Sequence, residues 1–249
     1  MFFPVPTNTF VLAGSFEARN ICDKLSFEKI PAIASLAGVT KKPLRLPLKT
    51  HIGGFGGEGG FKKFIQNEKI QWVINATHPF AANMRRTSTK ICNELNINHL
   101  LINRPEWKPE KSDEWYYINN LIDLENIIPV KANVFVGTGK NTLNQFHNMS
   151  GRKLLCRVID KPETRFPFES GRYLIGEPPF SIQEEIALFE KYNIDWMVAK
   201  NSGGSGGFSK ILAARMLNIP VVLLNRPRLP SSNKAENVDE ALQWIRKLI

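Results

Sequence analysis

An internal repeat constrains the fold more than any other feature, because two halves of the chain carry the same segments in the same order. Matching segments are offset by 124 residues at the start of the halves and by 122 at the end. The first half contains FVLAGS (Phe10 to Ser15), IQWVINA (Ile70 to Ala76) and LNINHLLINRP (Leu95 to Pro105), and the second contains VFVGTG (Val134 to Gly139), IDWMVAK (Ile194 to Lys200) and LNIPVVLLNRP (Leu217 to Pro227). This repeat predicts two copies of one structural plan.

Each half places an apolar run before a glycine turn, a second run before a polar loop, and a helical pattern before a third run. Apolar strands that alternate with helical patterns are typical of a parallel sheet covered on both faces. Residues 81–95 and 208–217 have apolar side chains at helical spacing and are predicted as the matching crossover helices. The predicted fold is α/β, with two Rossmann-like lobes, parallel sheets and a cleft between the lobes. One long sheet with a chance similarity is the alternative.

The predicted domain boundary lies in the Pro- and charge-rich stretch from Pro105 to Tyr117, which is typical of an interdomain linker. Residues 1–105 are expected to form the N-terminal lobe and residues 106–249 the C-terminal lobe. The last segment, residues 238–249, has a single apolar stripe and is predicted to be an amphipathic closing helix.

Composition excludes several classes of protein. Hydrophobic residues make up 43% of the chain and charged residues 22%, as in globular proteins, and no segment has the ~20 apolar residues that span a membrane. The first ten residues lack the basic start and the long apolar core of a signal peptide, so a cytoplasmic location is expected. The 3 cysteines and 4 histidines are scattered, so neither a disulfide framework nor a metal site is predicted.

The charge of the chain favours an anionic partner, since 33 basic residues exceed 23 acidic residues and give a net charge of +10. The basic residues do not form the runs that mark nucleic-acid or lipid patches, and no RNA-binding aromatic signature is present. An acidic small molecule is therefore the preferred partner over nucleic acid or a membrane surface.

Ten of the 17 glycines lie in two segments, Gly53 to Gly60 and Asn201 to Gly207. An ordered glycine costs roughly 0.5 to 1 kcal/mol of backbone entropy, so this density requires a steric reason. The usual reason is a close approach of ligand to backbone N–H groups, especially where a helix begins nearby. A flexible linker is the alternative, which the aromatic residues Phe55 and Phe61 of the first segment disfavour.

Polar residues follow several predicted strands, at the edge where open α/β sheets bind ligands. Gly14 and Ser15 stand at the position of a nucleotide-binding turn, although the full G-x-G-x-x-G spacing is absent. The segment Gly137 to Lys140 resembles a phosphate loop but lacks the required Ser or Thr and the preceding glycine, so that interpretation is rejected. His78 is either a structural hydrogen-bonding residue or an acid–base group, and Lys200 is expected to pair with an anion.

These segments together resemble the precorrin-6A reductase family. The motifs are EAR (Glu17 to Arg19) after a Gly-Ser turn, SLAG (Ser35 to Gly38), GGFGG (Gly53 to Gly57), ATHPFA (Ala76 to Ala81), RPEW (Arg104 to Trp107), KNSGG (Lys200 to Gly204) and RP (Arg226, Pro227). They span nearly the whole chain in the family's order. The resemblance implies a two-lobed reductase of cobalamin biosynthesis that uses NADPH to reduce a carbon–carbon double bond of an anionic tetrapyrrole.

The resemblance also implies roles for individual residues. The N-terminal lobe would bind the dinucleotide, and the C-terminal lobe the substrate. The expected cofactor-binding residues are Gly14, Ser15, Glu17, Arg19, Ser35, Gly38, Thr40 and Lys41. The expected substrate-binding residues are Gly53, Gly54, Phe55, Gly56, Gly57, Asn201, Gly203 and Gly204. The candidate catalytic residues are Lys200, Ser202 and His78, while solvent or a substrate carboxyl group remains an alternative proton donor.

The chain departs from the family pattern at three places. Val39 follows SLAG where the family usually has an Arg, the expected reader of the 2′-phosphate that distinguishes NADPH from NADH. Lys41 and its neighbours are expected to take over that contact, with a point charge in place of a planar fork. His51 stands where an Arg tends to precede GGFGG, and Glu177-Pro178 replaces an Arg-Gly pair.

Other functions remain as alternatives. A short-chain dehydrogenase is disfavoured, since none of the 4 tyrosines is followed four positions later by a lysine. A cobalt-precorrin-6A reductase and a non-catalytic nucleotide-binding sensor both stay open. The resemblance also leaves open a transient contact with neighbouring enzymes of the pathway.

Overall fold

The structure is a computed structural model, and it describes residues 8–38, 45–160 and 162–248. The strands are β1 (Asn8–Leu12), β2 (Ala32–Leu36), β3 (Lys49–Ile52), β4 (Ile70–Asn75), β5 (Asn98–Ile102), β6 (Trp115–Ile118), β7 (Asn133–Val136), β8 (Lys153–Val158), β9 (Gly171–Ile175), β10 (Trp196–Lys200), β11 (Val221–Leu224) and β12 (Asn233–Ala235). The α-helices are α1 (Phe16–Phe27), α2 (Gly57–Asn67), α3 (Ala82–Glu94), α4 (Ile182–Lys191), α5 (Ser209–Met216) and α6 (Val238–Arg246). Two 3-10 helices span Leu121–Asn126 and Lys140–Phe146.

The strands form two parallel six-stranded sheets with the same topology. The first sheet has the order β3-β2-β1-β4-β5-β12 and the second the order β9-β8-β7-β10-β11-β6. The strand pairs within both sheets are parallel. Each sheet therefore has the 3-2-1-4-5 order of a Rossmann fold, with a sixth strand beside the fifth. The predicted Rossmann-like α/β fold with parallel sheets is confirmed.

The sixth strand of each sheet explains how the chain divides into two compact units. Unit 1 comprises Met1–Pro105 and Pro227–Ile249, and unit 2 comprises Glu106–Arg226. After its first Asn-Arg-Pro, the chain enters unit 2 and forms the edge strand β6. After the second, it returns to unit 1, where β12 pairs with β5 and α6 packs on α1.

The assignment of residues 106–249 to one lobe is therefore wrong for residues 227–249. The predicted closing helix is present, since α6 begins at Val238, but its apolar residues Ala241, Leu242 and Ile245 belong to the core cluster of α1. An apolar stripe predicts that a helix is buried and does not identify the surface that covers it. The linker is also shorter than predicted, because Trp115 to Tyr117 lie in β6.

The repeated Leu-Asn-Ile segments end equivalent helices, α3 and α5. Asn96 and Asn218 both have a φ of 52°, a left-handed conformation that Asn tolerates better than most residues. The amide of Ile97 donates to the carbonyl of Cys92, and that of Ile219 to Ala214, each at 2.8 Å. These are the hydrogen bonds of a Schellman motif. The repeat thus encodes the end of a crossover helix in each unit.

Candidate functional site

In unit 1, the turn after the central strand β1 leads directly into α1. The amide of Ala13 donates to the Ser35 carbonyl oxygen at 2.8 Å, which ties the ends of β1 and β2 together. Gly14 has a φ of 155°. Ser15 is the N-cap of α1, and its hydroxyl accepts a hydrogen bond from the amide of Ala18 at 3.2 Å. The positive end of a 12-residue helix therefore begins at the carboxyl edge of the sheet.

The loop after β4 lies beside this turn. A Cβ atom built on Gly14 would lie 3.9 Å from the Cα of Thr77, so the two loops meet where the strand order reverses. The half-buried His78 accepts a hydrogen bond at Nδ1 from the amide of Phe80, at 3.2 Å. A neutral ring with this partner carries its proton on Nε2. The predicted cofactor turn and the candidate acid–base residue are thus brought to the same edge of the first sheet.

Glu17, a predicted cofactor-binding residue, forms an ion pair with Arg104, a residue that the site prediction did not include. Glu17 is 7% exposed and Arg104 is 6% exposed. Arg104 comes from the first Asn-Arg-Pro, directly after β5. Removing one partner of a buried pair typically costs about 3–5 kcal/mol. The pair fixes the first turn of α1 against the end of β5. The repetition of Asn-Arg-Pro draws attention to Arg104 but does not identify its partner.

The other predicted cofactor-binding residues lie in different parts of unit 1 or outside the described residues. Ser35 is buried at the end of β2, and Gly38 follows it with a φ of 70°. A Cβ built on Gly38 would lie 3.6 Å from both the Cα and the amide nitrogen of Gly53, so the loops after β2 and β3 also meet. Arg19 is half-buried in α1. Thr40 and Lys41 lie outside the described residues.

The segment Gly53 to Gly60 is a structured loop followed by the first turn of α2. The amide of Gly53 donates to the Leu36 carbonyl oxygen at 2.9 Å, and Gly56, at a φ of 74°, is the N-cap of α2. Phe55 anchors the loop in an aromatic cluster, stacked on His51 with ring centroids 4.8 Å apart and edge-on to Phe61 at 5.1 Å. These contacts favour order over the flexible-linker alternative.

The absence of a side chain has a different structural reason at different glycines of this segment. Gly60 is required by packing, because its Cβ would lie 1.6 Å from the carbonyl oxygen of Phe55. Gly53 and Gly57 have φ values of 121° and 87°, which side chains rarely adopt. Gly54 has neither reason: its φ is not in the left-handed region and a Cβ would meet no atom within 4 Å. Packing among the described residues therefore leaves its missing side chain unexplained, and a ligand that approaches the backbone would explain it.

In unit 2, Lys200 ends β10 at the carboxyl edge of the second sheet. The residue is half-buried, and burial lowers the pKa of its ammonium group below the usual value. Ser202 follows in the same turn, where its amide donates to the Lys200 carbonyl oxygen at 2.6 Å. Gly203 and Gly204 continue the loop with φ values of 62° and 66°.

Asn201 organises this loop and is 1% exposed. Its side-chain oxygen accepts from the amide of Trp107 at 3.0 Å, and its carbonyl oxygen accepts from Nε of Arg226 at 2.7 Å. The indole N–H of Trp107 donates to the Gly204 carbonyl oxygen at 2.8 Å. Trp107 therefore holds the predicted substrate loop from both ends, a role that the RPEW motif did not reveal.

The turn after β7, the central strand of the second sheet, differs from that after β1. The amide of Gly137 donates to the Val198 carbonyl oxygen at 2.8 Å, so the turn lies beside the end of β10. It leads into the 3-10 helix Lys140–Phe146, whose N-cap, Gly139, provides no side-chain hydrogen bond. This exit offers no side-chain-capped α-helix to an anion.

Neither a metal centre nor a membrane span is found in the described parts of the chain. Among these residues, no three His, Cys, Asp or Glu side chains are grouped so as to hold a metal ion. Over the same ranges, no helix combines the length and the apolar character needed to cross a bilayer.

Comparisons with known proteins agree with the geometry of both units. The family model described as "Precorrin-6x reductase CbiJ/CobK" matches residues 8–246. The chain belongs to this family. The family resemblance predicted from the sequence motifs is thereby confirmed.

Relatives named for two related reductases match most of the chain. The precorrin-6A reductase of Rhodobacter capsulatus is 33% identical over 240 residues, which cover 96% of each protein. The cobalt-precorrin-6A reductase of Methanococcus maripaludis is 29% identical over 193 residues, 75% of this chain and 77% of that protein. A solved structure named CobK precorrin-6A reductase superposes with a TM-score of 0.94 at 33% identity, covering 97% of this chain and 96% of the other.

Proposed function

We propose that this protein is a precorrin-6A reductase, an NADPH-dependent oxidoreductase of cobalamin biosynthesis. Family membership and the names of relatives that match 96% of the chain support the reaction. One structural observation supports the cofactor: α1 begins, capped by Ser15, at the point where the order of the first sheet reverses. Rossmann folds bind the pyrophosphate of a dinucleotide at such a helix N-terminus.

The residues at the turn after β1 fit a dinucleotide. The lack of a side chain at Gly14 permits close approach to the backbone, and the first amides of α1 supply donors to phosphate oxygens. Ser35, at the carboxyl end of β2, and Gly38, just after the strand, would face the adenosine, as the position after the second strand does in Rossmann folds. Thr40 and Lys41, as the family resemblance implies, would make the contact that selects NADPH over NADH.

The bound dinucleotide would supply a hydride for the reduction of a carbon–carbon double bond. The protein's own groups then bind and orient the substrate. Lys200 would pair with a substrate carboxylate, and Asn201, Ser202 and the glycine backbone would hold neighbouring polar groups. His78, whose Nδ1 accepts a hydrogen bond from the Phe80 amide, would be the acid–base residue of unit 1 that contacts the reacting complex. Gly53 to Gly57 would contact the ring of the substrate through open backbone.

A cobalt-containing substrate is the second candidate, since relatives named cobalt-precorrin-6A reductase also match. The metal-free substrate is favoured because the relatives named for it combine 33% identity with 96% coverage. The relatives from Methanococcus maripaludis and Synechocystis, which are named for the cobalt-containing substrate, are 29% identical over 75% of the chain and 22% identical over 96% of it.

The proposal is tested by anaerobic incubation of the protein with precorrin-6A or cobalt-precorrin-6A, each with NADPH or NADH, and measurement of kcat/KM from the absorbance of the dinucleotide. The highest kcat/KM is expected for precorrin-6A with NADPH. Absence of turnover despite NADPH binding would support the nucleotide-sensor alternative and contradict the proposal.

A matched pair of glycine variants tests the placement of the cofactor. Gly14→Ala and Gly139→Ala both put a side chain at a positive φ, 155° and 86° respectively, in equivalent turns of the two units. Only Gly14→Ala is expected to weaken NADPH binding, by about tenfold or more, because only that turn precedes an α-helix. Equal losses in both variants would contradict the assignment.

A further inference from the structure

Unit 1 contains a buried polar network that the proposed reaction does not use. Asn75 and Ser88 are 0% exposed and His99 is 4% exposed. The side-chain amide of Asn75 donates to Ser88 Oγ at 2.8 Å, and Nε2 of His99 lies 2.9 Å from the same oxygen. Nδ1 of His99 lies 2.7 Å from Ser232 Oγ. A continuous line of hydrogen bonds therefore runs from Asn75 to Ser232.

One end of this line holds the loop after β4. The side-chain oxygen of Asn75 accepts from the amide of Thr77 at 3.1 Å and from its hydroxyl at 2.7 Å. Arg85, which is 1% exposed, donates to the Thr77 carbonyl oxygen at 2.9 Å. The amide, hydroxyl and carbonyl of Thr77 are each held by a buried side chain. The backbone that leads into His78 is fixed as a result.

The other end of the line lies where the chain returns to unit 1. Ser232 is half-buried and directly precedes β12, whose first residue, Asn233, pairs with Leu100 of β5. The Ser232 hydroxyl also lies 3.2 Å from the His99 carbonyl oxygen. The seating of β12 at the edge of the sheet therefore sets the partner of the His99 ring.

The imidazole of His99 suits this linking position because it is neutral. Burial, and to a lesser degree the charge of Arg85, lower the pKa of His99 to about 4. At neutral pH one ring nitrogen donates and the other accepts. One serine donates its hydroxyl proton to the ring, and the other accepts from the ring and donates its own proton to a backbone carbonyl oxygen. That carbonyl belongs to Arg85 for Ser88 and to His99 for Ser232, each at 3.2 Å. The network is thus satisfied in either tautomer.

We propose that His99 is a positioning residue that links the seating of β12 to the backbone of Thr77 and so to the orientation of His78. The effect on turnover rests on the proposed function, in which His78 contacts the reacting complex. The link itself is a property of unit 1 and has its own measurement. An error of about 1 Å in the position of a reacting group can lower a rate by 100-fold.

The test compares His99→Phe with Leu242→Ala. The phenyl ring removes both hydrogen bonds at similar volume. Leu242, 2% exposed, packs in the cluster of α1 and α6, so its truncation leaves a cavity that destabilises unit 1 while the hydrogen bonds of the network stay in place. Amide hydrogen exchange of the free protein and the kcat and KM of precorrin-6A reduction are measured for both variants.

In His99→Phe, exchange at the amide of Thr77 is expected to accelerate about tenfold relative to neighbouring amides of β4. The value of kcat is expected to fall roughly tenfold at a nearly unchanged KM for NADPH. Leu242→Ala, studied at the same distance below its unfolding midpoint, should show neither change. Unaltered exchange at Thr77, or equal effects in the two variants, would overturn the proposal.

Ser232→Ala keeps the test decisive if His99→Phe does not fold, because it removes only a half-buried hydroxyl. It should accelerate Thr77 exchange in the same direction by about threefold, and unchanged exchange would overturn the link. If the unmodified protein does not reduce precorrin-6A, the proposed function fails while the exchange measurement still decides the role of His99.

Discussion

The two units share a strand order but differ in the element that comes after the central strand. In unit 1, β1 leads through Gly14 into a 12-residue α-helix with a serine cap. In unit 2, β7 leads through Gly137 to Gly139 into a seven-residue 3-10 helix without a side-chain cap. Parallel topology creates a ligand-binding edge in both units. On the proposed function, the start of α1 makes the carboxyl edge of unit 1 suit a pyrophosphate. The carboxyl edge of unit 2 would then take acidic groups of the substrate that pair with Lys200.

The largest expected effect separates packing from binding within the glycine loop of unit 1. In Gly60→Ala the new Cβ would lie 1.6 Å from the Phe55 carbonyl oxygen, so the loop must rearrange. We expect a loss of roughly 3 kcal/mol or more in the free energy of unfolding. Gly54→Ala, which meets open space, should change that free energy by less than about 0.5 kcal/mol.

The same Gly54→Ala variant should raise the KM of the tetrapyrrole several-fold if the backbone at Gly54 approaches the ligand. Urea unfolding and steady-state kinetics of both variants check the two effects. A Gly54→Ala enzyme with unchanged kinetics would remove this loop from the substrate site.

The next largest effect concerns Lys200 and tests whether unit 2 binds the substrate while unit 1 binds the nucleotide. Lys200→Ala is expected to lower kcat/KM for the tetrapyrrole by tens-fold while the Kd of NADPH stays unchanged. Lys153→Ala is the matched control. Lys153 is the first residue of β8, so it lies at the amino ends of the strands, away from the carboxyl ends where Lys200 lies. A loss of NADPH affinity in Lys200→Ala would assign the nucleotide to unit 2 and contradict the proposed difference between the units.

A smaller effect follows from the lowered pKa of Lys200. The ammonium is fully present below this pKa, so binding of acidic groups is strongest there and weakens as pH rises through it. The KM of the tetrapyrrole should therefore rise several-fold on the alkaline side. Lys200→Arg, which keeps its charge, should remove that rise. KM measured from pH 7 to pH 10 checks this, and an identical rise in both enzymes would contradict it.

The lowered pKa of Lys200 also makes the free energy of unfolding depend on pH, in the direction opposite to its effect on binding. The folded-state pKa of Lys200 lies below its unfolded value, so the unfolded chain binds more protons between the two values. The contribution of Lys200 to the free energy of unfolding consequently increases with pH in that window. Urea unfolding of the unmodified protein and of Lys200→Met over the same pH range measures it.

Local patterns predicted the repeated sheets well. Apolar runs encode the buried strands, and the repeated Asn96 and Asn218 close the crossover helices in each half. The exchange of edge strands was not predictable in this way. β12 has only three residues, Asn233 to Ala235, and no apolar run, and β6 begins within the Pro- and charge-rich stretch that is predicted as a linker. Pairing at a sheet edge depends on the neighbour that is available, which a local pattern does not contain.

For the candidate site, the sequence indicated the residues at strand ends but not the residues that hold them in place. Residues at or shortly after the carboxyl ends of strands, such as Gly14, His78 and Lys200, could be singled out from the sequence because parallel strands end at one edge of a sheet. Their supports were missed: Arg104 is 87 positions from its partner Glu17, and Trp107 is 97 positions from Gly204. These contacts arise from tertiary packing, and a single sequence carries no spacing signal for them.

A crystal structure of the protein with NADP⁺ tests the central assignment most directly. We expect the pyrophosphate to bind the amides that follow Gly14, at the start of α1, and the turn from Gly137 to Gly139 to hold no nucleotide. A pyrophosphate bound at the turn of unit 2 would contradict it.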